Sequence, residues 1–319
     1  MGRRRKPPEG ARALDGWVVV DKPTGMSSAA VVSTLRRALR PMRIGHAGTL
    51  DPLATGVLPV ALGEATKTVA YAMSGAKSYR FTLQFGQSRD SDDAEGQVTG
   101  ESPVRPDTAA IRAVLPRFVG HVRQRPPAFS AVKVAGRRAY ALARAGAAPE
   151  LAERSIEINR LELMSRPDPD TAMFAVDCGK GTYVRALARD IAVALGTLGF
   201  VAALRRTRVG PFGENQAIAL DNLVAFGHSA PAFEYLLPIE TVLDDIPALA
   251  LTGEQAALLR QGGAVAVLGT GGPGPREGGA DNAVAISDGT VVCAKQGTRP
   301  VALARYDAGI LRPVRVLNL

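Results

Sequence analysis

A single carboxylate, Asp51, lies in the stretch Gly45-His46-Ala47-Gly48-Thr49-Leu50-Asp51-Pro52-Leu53-Ala54-Thr55-Gly56-Val57-Leu58. Three glycines, two threonines and a proline surround it. Glycine tolerates positive φ and proline fixes its own, so the stretch is turn chemistry. Val57-Leu58-Pro59-Val60 reads as a return to the core. An acid held on such a turn can serve as a nucleophile or a base, or it can do no more than shape the turn. His46, one of three histidines in the chain, stands beside it. A second candidate is Arg185. Val184, Leu187, Ala188, Ile191 and Leu195 form the apolar face of a helix that Thr182 would cap. Tyr183 and Arg185 then fall in its first turn, where unpaired N–H groups and the positive dipole end favour anions. An arginine there points to function more than to helix stability.

The elements that must position these groups follow from periodicity. Gly16-Trp17-Val18-Val19-Val20-Asp21-Lys22-Pro23 reads as a strand stopped by proline. Val31, Val32, Leu35 and Leu39 predict a helix over Ser28 to Arg40, and a further helix is expected from Glu64 to Met73. Tyr79, Phe81, Leu83 and Phe85 alternate with polar residues, a strand of period two. Tyr79 is then either core or, at the strand's edge, an aromatic surface for a ligand. Arg89 to Gly96 is acidic, lacks the ligand spacing of a calcium loop, and reads as a solvated turn. Ile156 to Met164 and Ala172 to Cys178 alternate as adjacent strands joined by a loop over Ser165 to Asp170. Gly179-Lys180-Gly181-Thr182 is a tight turn and not a phosphate loop, because Lys180 is followed by glycine. Val201 to Val209, with Leu204, Arg205, Arg206 and Arg208, returns as a strand. After a connector over Gly227 to Pro238, a Gly/Pro-rich loop runs from Gly269 to Gly279. Short β runs follow at Ala283–Ile286, Thr290–Cys293, Val301–Ala304 and Val314–Leu317, which suggest a small barrel or sandwich.

Composition narrows the partner. The 319 residues carry a formal charge of +9, which favours a polyanion over a small acidic metabolite. Between residues 112 and 144 lie Arg112, Arg117, Arg123, Arg125, Lys133, Arg137, Arg138 and Arg144, with no acid among them. A phosphate backbone would relieve their mutual repulsion. Inside this segment, Pro126-Pro127-Ala128-Phe129-Ser130-Ala131-Val132-Lys133-Val134 excludes a regular helix and predicts an ordered or hinged loop. Cys178 and Cys293 are far apart and the histidines are scattered, so neither a disulfide framework nor a Cys/His metal site is expected. The chain has no apolar run of about 18 residues, and its basic start has no apolar segment behind it, so a cytoplasmic protein with a disordered basic arm over residues 1–12 is expected.

Four stretches together carry a resemblance. They are Asp21-Lys22-Pro23-Thr24-Gly25; Gly45-His46-Ala47-Gly48-Thr49-Leu50-Asp51-Pro52; Pro126 to Lys133 with Ala139-Tyr140; and Gly179-Lys180-Gly181-Thr182-Tyr183-Val184-Arg185. In their order and spacing the chain resembles the bacterial TruB-type tRNA pseudouridine synthases from about Gly16 onward. The resemblance implies an α+β pseudouridine-synthase fold, a mixed and mostly antiparallel sheet with flanking helices, over residues 13–245. It also implies an RNA-gripping insertion near 120–146 and a small C-terminal β-rich PUA-like domain over 246–319. The activity it implies is conversion of uridine 55 in the TΨC loop of tRNA to pseudouridine, without metal or cofactor. The expected partner is tRNA, through the TΨC arm and conceivably the acceptor stem, with no membrane and no obligatory protein partner, as a monomer. Asp51 takes the place of the catalytic aspartate and Arg185 that of the arginine paired with it. Tyr79 matches the tyrosine that stacks on the target base, Tyr183 the pocket floor and Leu204 a lining leucine. His46 matches the histidine that holds the substrate loop open. Lys22 and Lys133 fall inside shared motifs and are expected at the substrate. Where the family often has Thr-Asp-Thr, this chain has Arg89-Asp90-Ser91, a departure at one RNA contact that spares the pocket residues.

The isomerisation breaks C1′–N1, rotates the base and joins C1′ to C5. Asp51 can attack C1′ or remove the 2′ proton. In a dry pocket its pKa would rise, and Arg185 would oppose that. The target base must be flipped out of a folded loop, at a cost of a few kcal/mol. Stacking on Tyr79, worth roughly 1–3 kcal/mol, and phosphate contacts along 112–144 would repay it. His46 either fills the vacated stack or is a turn histidine. Two rival readings are a tRNA-binding protein without catalysis and a guide-RNA-dependent synthase. A glycoside hydrolase ranks last, because no second carboxylate matches Asp51.

Overall fold

The computed structural model describes residues 10–130, 132–134, 136–147, 149, 151–226, 234–267 and 286–319. The expected arm lies outside them up to residue 9. Arg12, placed within that arm by sequence, instead pairs in parallel with Pro41. The β-branched run forms β1 (Gly16–Lys22), and α1 (Ser28–Leu39) follows with the Ser27 side chain accepting the Ala30 N–H as its cap. The stretch around Asp51 spans β2 (Ile44–His46), a turn, and β3 (Thr55–Leu62). The single helix expected over Glu64 to Met73 is a 3₁₀ turn, Gly63–Lys67, followed by α2 (Val69–Ser74). Thr68 breaks them, its hydroxyl donating to the Ala65 carbonyl at 2.8 Å.

The alternating run forms β4 (Lys77–Phe85). A small hairpin, β5 (Gln87–Arg89) and β6 (Val98–Glu101), carries the acidic loop. Then come α3 (Thr108–Val114), capped by Asp107, and β7 (Gly120–Gln124). The chain leaves the sheet after Gln124 and makes a short hairpin, β8 (Lys133–Val134) with β9 (Arg137–Arg138), and α4 (Ala139–Arg144). It returns as β10 (Arg154–Asp168). Of the segment near 120–146, Gly120 to Gln124 is an edge strand pairing β10, and the rest stands off the sheet. The eight cations do not share one element either; they are spread from α3 to α4. β11 (Thr171–Cys178) pairs with β10 up to Asp168 opposite Thr171, so the loop expected over Ser165 to Asp170 shrinks to Pro169-Asp170. The Asp168 carboxylate makes that turn by accepting the Asp170 N–H and the Thr171 hydroxyl, each at 2.8 Å.

Next come α5 (Val184–Ala194), β12 (Gly199–Val209), β13 (Phe212–Gly213), β14 (Ile218–Ala219) and α6 (Leu220–Phe226). The sheet order is β14-β1-β3-β12-β4-β11-β10-β7, with β13 beside β12 and β2 beside β3. Most pairs are antiparallel; β1–β14 and β3–β12 are parallel. The fold is α+β with a mixed sheet, as the sequence implied. In β1, Val18 and Val20 face one core with Val31, Leu35, Leu187 and Ile191 from the helices. Trp17 and Val19 face a second core with Phe212, Cys293, Leu303 and Leu317. A strand buried on both faces reads as a continuous apolar run, which explains its composition.

The described residues from 248 onward form one five-stranded sheet. It comprises β15 (Ala248–Ala250), β16 (Val265–Ala266), β17 (Val291–Gln296), β18 (Arg299–Asp307) and β19 (Ile310–Val316), in the order β15-β17-β18-β19-β16. Helix α7 (Gly253–Arg260) buries Ala256 and Leu259 against Val301 and Leu311. The Gly269 to Gly279 loop and most of the β run expected at Ala283–Ile286 lie outside the described residues.

Candidate active site

The turn that bears Asp51 is held by side chains reaching in from three elements. Ser28, at the start of α1, accepts the Leu50 N–H through its hydroxyl at 2.8 Å and donates to the Leu50 carbonyl at 3.1 Å. Lys22 is fully buried, and its ammonium donates to the carbonyls of Pro23 (2.8 Å), Met26 (2.5 Å) and Pro52 (3.1 Å). Arg206, on β12, donates to the carbonyls of Val57 (2.8 Å), Gly48 (3.0 Å) and Thr49 (3.4 Å). Gly56 has φ +96°, and a Cβ there would stand 2.2 Å from the Arg206 carbonyl, so only glycine fits where the turn rejoins β3.

Asp51 projects into a cleft of about 400 Å³ lined also by Asp93, Glu95, Phe129, Tyr140, Arg144 and Arg185. Arg185 is only 5% exposed, and its Nε lies 2.9 Å from Asp51 Oδ2. The rest of the guanidinium is also engaged: Nη1 donates to the Ser91 carbonyl at 2.8 Å and lies 3.5 Å from Asp93 Oδ2, and Nη2 donates to the Phe129 carbonyl at 2.9 Å. This fork ties together the Asp51 turn, the acidic loop and the insertion. Burial pushes the Asp51 carboxyl up, Arg185 pulls it down, and Asp93 pushes it up again, with Lys22 a smaller downward influence. The net direction is upward.

The acidic loop is not the solvated turn its composition suggests. Asp93 is buried, its Oδ1 accepting the Ser91 hydroxyl at 2.5 Å and the Glu95 N–H at 3.1 Å. Asp92, at φ +59°, pairs with Arg189 at 2.8 Å, and burial raises its pKa to about 6. Backbone bonds from Val201 to Asp92 and from Ala94 to Val201, each 3.0 Å, fasten the loop to β12. The signal was on α5: Arg185 and Arg189, four apart on a largely buried helix, require acids to meet them.

The other sequence-derived site residues are placed as follows. Tyr79 is on β4, buried in the core with Phe81 and Leu83, and its hydroxyl is within reach of the Arg206 guanidinium, which offsets the rise that burial imposes on the phenol. Leu204 belongs to the same apolar cluster as Tyr79, Leu50 and Ala54. Tyr183, not Thr182, is the N-cap of α5, and its ring packs against Val132, Ala139 and Leu151 of the insertion. His46 sits on β2, where burial and the Arg206 charge lower its pKa. Lys22, expected at the substrate, is fully buried, and all its described hydrogen bonds go to carbonyls within the protein. Lys133 lies on β8, and its side chain lies outside the described residues. Among the described residues no cluster of three or more His, Cys, Asp and Glu could hold a metal ion.

A mixed sheet with flanking helices thus sets the Asp51 carboxylate against a buried, helix-borne arginine in a cleft. Solved structures share the fold: an H/ACA RNP bound to a substrate RNA containing 2′-deoxyuridine aligns with TM-score 0.71 and 24% identity over 98% of this chain and 89% of the other. A Cbf5-Nop10-Gar1 complex aligns with TM-score 0.68 and 26% identity over 96% of this chain and 84% of the other. The model of the TruB family pseudouridylate synthase N-terminal domain matches residues 36–184, and that of the tRNA pseudouridylate synthase B C-terminal domain matches 185–244. A tRNA pseudouridine synthase B of Gluconacetobacter diazotrophicus is 53% identical over 96% of this chain and 98% of its own length. One from Rhodospirillum rubrum is 49% identical over the full length of both chains (100% of each). The chain belongs to the TruB family of pseudouridylate synthases, which are isomerases.

Proposed function

We propose that this enzyme isomerises uridine 55 in the TΨC loop of tRNA to pseudouridine, with Asp51 as the catalytic carboxylate and Arg185 as its partner. One observation carries the site: Asp51 shares the cleft with a buried arginine whose Nε stands 2.9 Å from it. The name shared by relatives about half identical over nearly the whole chain supports tRNA as the substrate. Arg185 keeps Asp51 ionised where water is scarce, and Asp51 then attacks C1′ or takes the 2′ proton while the glycosidic bond breaks. The freed uracil rotates and C5 joins C1′, which releases the Asp51 carboxylate on the first route or takes the abstracted proton back at C2′ on the second. C5 then loses its proton, and the proton returns to N1. Tyr79 provides the surface on which the flipped base stacks, with Leu204 beside it. His46 fills the gap the base leaves, and Tyr183 and Lys133 contribute on the insertion side. The C-terminal sheet adds a second RNA-binding surface, and the protein acts as a monomer without a guide RNA or protein partner.

Purified enzyme is incubated with unmodified tRNA transcript, with Asp51→Asn as the control. Pseudouridine at position 55 with the wild type, and binding without product for Asp51→Asn, is expected. Product from Asp51→Asn at the wild-type rate would sink the assignment, and a requirement for added RNA or protein would favour the guide-dependent reading. Deuterium at the 2′ carbon separates the two first steps, since only proton removal gives a primary isotope effect.

A further inference from the structure

The Arg206 guanidinium is a buried charge that the scheme above leaves without a task. It is 1% exposed, and among the described residues no carboxylate stands within ion-pair distance of it. Its hydrogen bonds go to the Val57, Gly48 and Thr49 carbonyls, on both flanks of Asp51. Among the described residues the side chain set opposite it is Tyr79, and the Asp51 charge acts on it. Burying a cation without a paired anion is costly, and a neutral donor or an apolar residue of the same size would be cheaper if holding a turn were the whole purpose.

The strand register shows what the arginine spans. Arg206 pairs with Gly56 of β3 on one side and with Tyr79 of β4 on the other. β12 thus lies between the strand that leads out of the Asp51 turn and the strand that carries the stacking ring. A side chain rooted there, with one planar group bonded to both flanks of the turn and set beside Tyr79, fixes the distance between carboxylate and ring. Guanidinium suits this role because its donors diverge in a fixed plane, whereas an ammonium holds no such geometry.

We propose that Arg206 is a positioning residue for the isomerisation: its guanidinium fixes the Asp51 turn relative to the Tyr79 ring. This rests on the reading of Asp51 as the catalytic group. When uracil is stacked on Tyr79, C1′ must meet the Asp51 oxygens, so an error in that one spacing is felt at the reacting bond. A misplacement near 1 Å is worth about 100-fold in rate.

The test compares Arg206→Gln and Arg206→Lys in single-turnover assays on tRNA transcript across pH, with tRNA affinity and thermal unfolding measured on the same preparations. For Arg206→Gln the expected result is a rate lower by about 100-fold across the pH profile, with tRNA affinity close to wild type. For Arg206→Lys the rate should stay low as well, because charge is restored and the fork is not. A wild-type rate for either variant, or a loss of tRNA affinity that accounts for the whole loss of rate, overturns the proposal. If Arg206→Gln fails to fold, Arg206→Lys decides: a low rate with intact binding supports it, and a wild-type rate refutes it. Asp51→Asn runs alongside. If it is active, the site assignment has failed independently of Arg206.

Discussion

Gln124 holds Tyr183 from both sides. Its Nε2 donates to the Tyr183 carbonyl at 3.1 Å, and its Oε1 accepts the Tyr183 N–H at 2.9 Å. Tyr183 is the N-cap of α5 and has no cap bond of its own, and Arg185 follows two residues later. The last residue of an edge strand therefore fixes the start of the helix that aims the arginine at Asp51. Gln124 is 3% exposed, so its loss is not made good by bulk water. Gln124→Leu leaves the Tyr183 N–H unpaired at a cost of roughly 1–3 kcal/mol. The expected outcome is a lower unfolding midpoint in denaturant and a slower single turnover, with tRNA affinity little changed. Unchanged turnover alongside reduced stability would show that the helix start does not need this clamp to aim Arg185.

Asp51 should trade stability for activity. Its carboxyl is raised from the usual value of 3.8, so the folded state binds a proton more readily than the unfolded one. Stability from this group is present below the unfolded pKa and is lost as pH rises through the folded one. At neutral pH the ionised form is thus a burden, and Asp51→Asn is expected to unfold at or above the wild-type temperature while making no pseudouridine. The comparison is a pair of melts at neutral pH and again in mild acid, where the difference between the proteins should shrink. A clear loss of stability for Asp51→Asn at neutral pH would mean that the bond to Arg185 outweighs the desolvation.

Asp93 acts on Asp51 in two opposed ways. It shares Arg185 with it, and its own charge raises the Asp51 pKa. Asp93→Asn keeps the size and an acceptor for the Ser91 hydroxyl but removes that charge. The acid limb of the pH–rate profile should then move to lower pH, while the plateau rate falls because Arg185 loses an anion that orients it. A rate profile shifted to higher pH would show that Asp93 acts on Asp51 chiefly by placing Arg185.

Much of this was readable from residue order. β1, α1, β4 and the Asp51 turn follow from apolar period and from Gly and Pro, because each signal is local. Asp51 and Arg185 were singled out by residue type and local context before any geometry. The missing parts are long-range. Nothing near Asp92 or Asp93 in sequence announces that Arg185 and Arg189 lie over them, so four acids in eight residues read as a solvated turn. Gln124 and Arg206 act on groups 59 and 158 residues away, and neither side chain looks unusual in its own strand. Lys22 was drawn to the substrate because it sits in a shared motif, yet a shared residue can equally be one the backbone needs.

Lys22 offers a pH test of that structural role. Burial lowers its pKa from 10.5 to about 8, with the Asp51 charge acting in the opposite direction. At pH below about 8 the lysine is charged in both folded and unfolded chains, and the folded protein bears the full cost of burying it. That cost is on the order of 3 kcal/mol for a shift of this size. As pH climbs from about 8 towards 10.5, the folded state sheds the proton first and the unfolded state still holds it. The unfolded chain then binds more protons, so this group's contribution to stability rises with pH. Lys22→Met removes the titration, along with three hydrogen bonds to carbonyls. Those bonds fix how far the variant lies below the wild type at neutral pH. The titration fixes the slope, and the gap between the two proteins should change in favour of the wild type through this window. Denaturant unfolding of both proteins at matched pH reads the slope directly. Parallel curves would show that the Lys22 ammonium is effectively solvated, and would return it to the candidates for substrate contact.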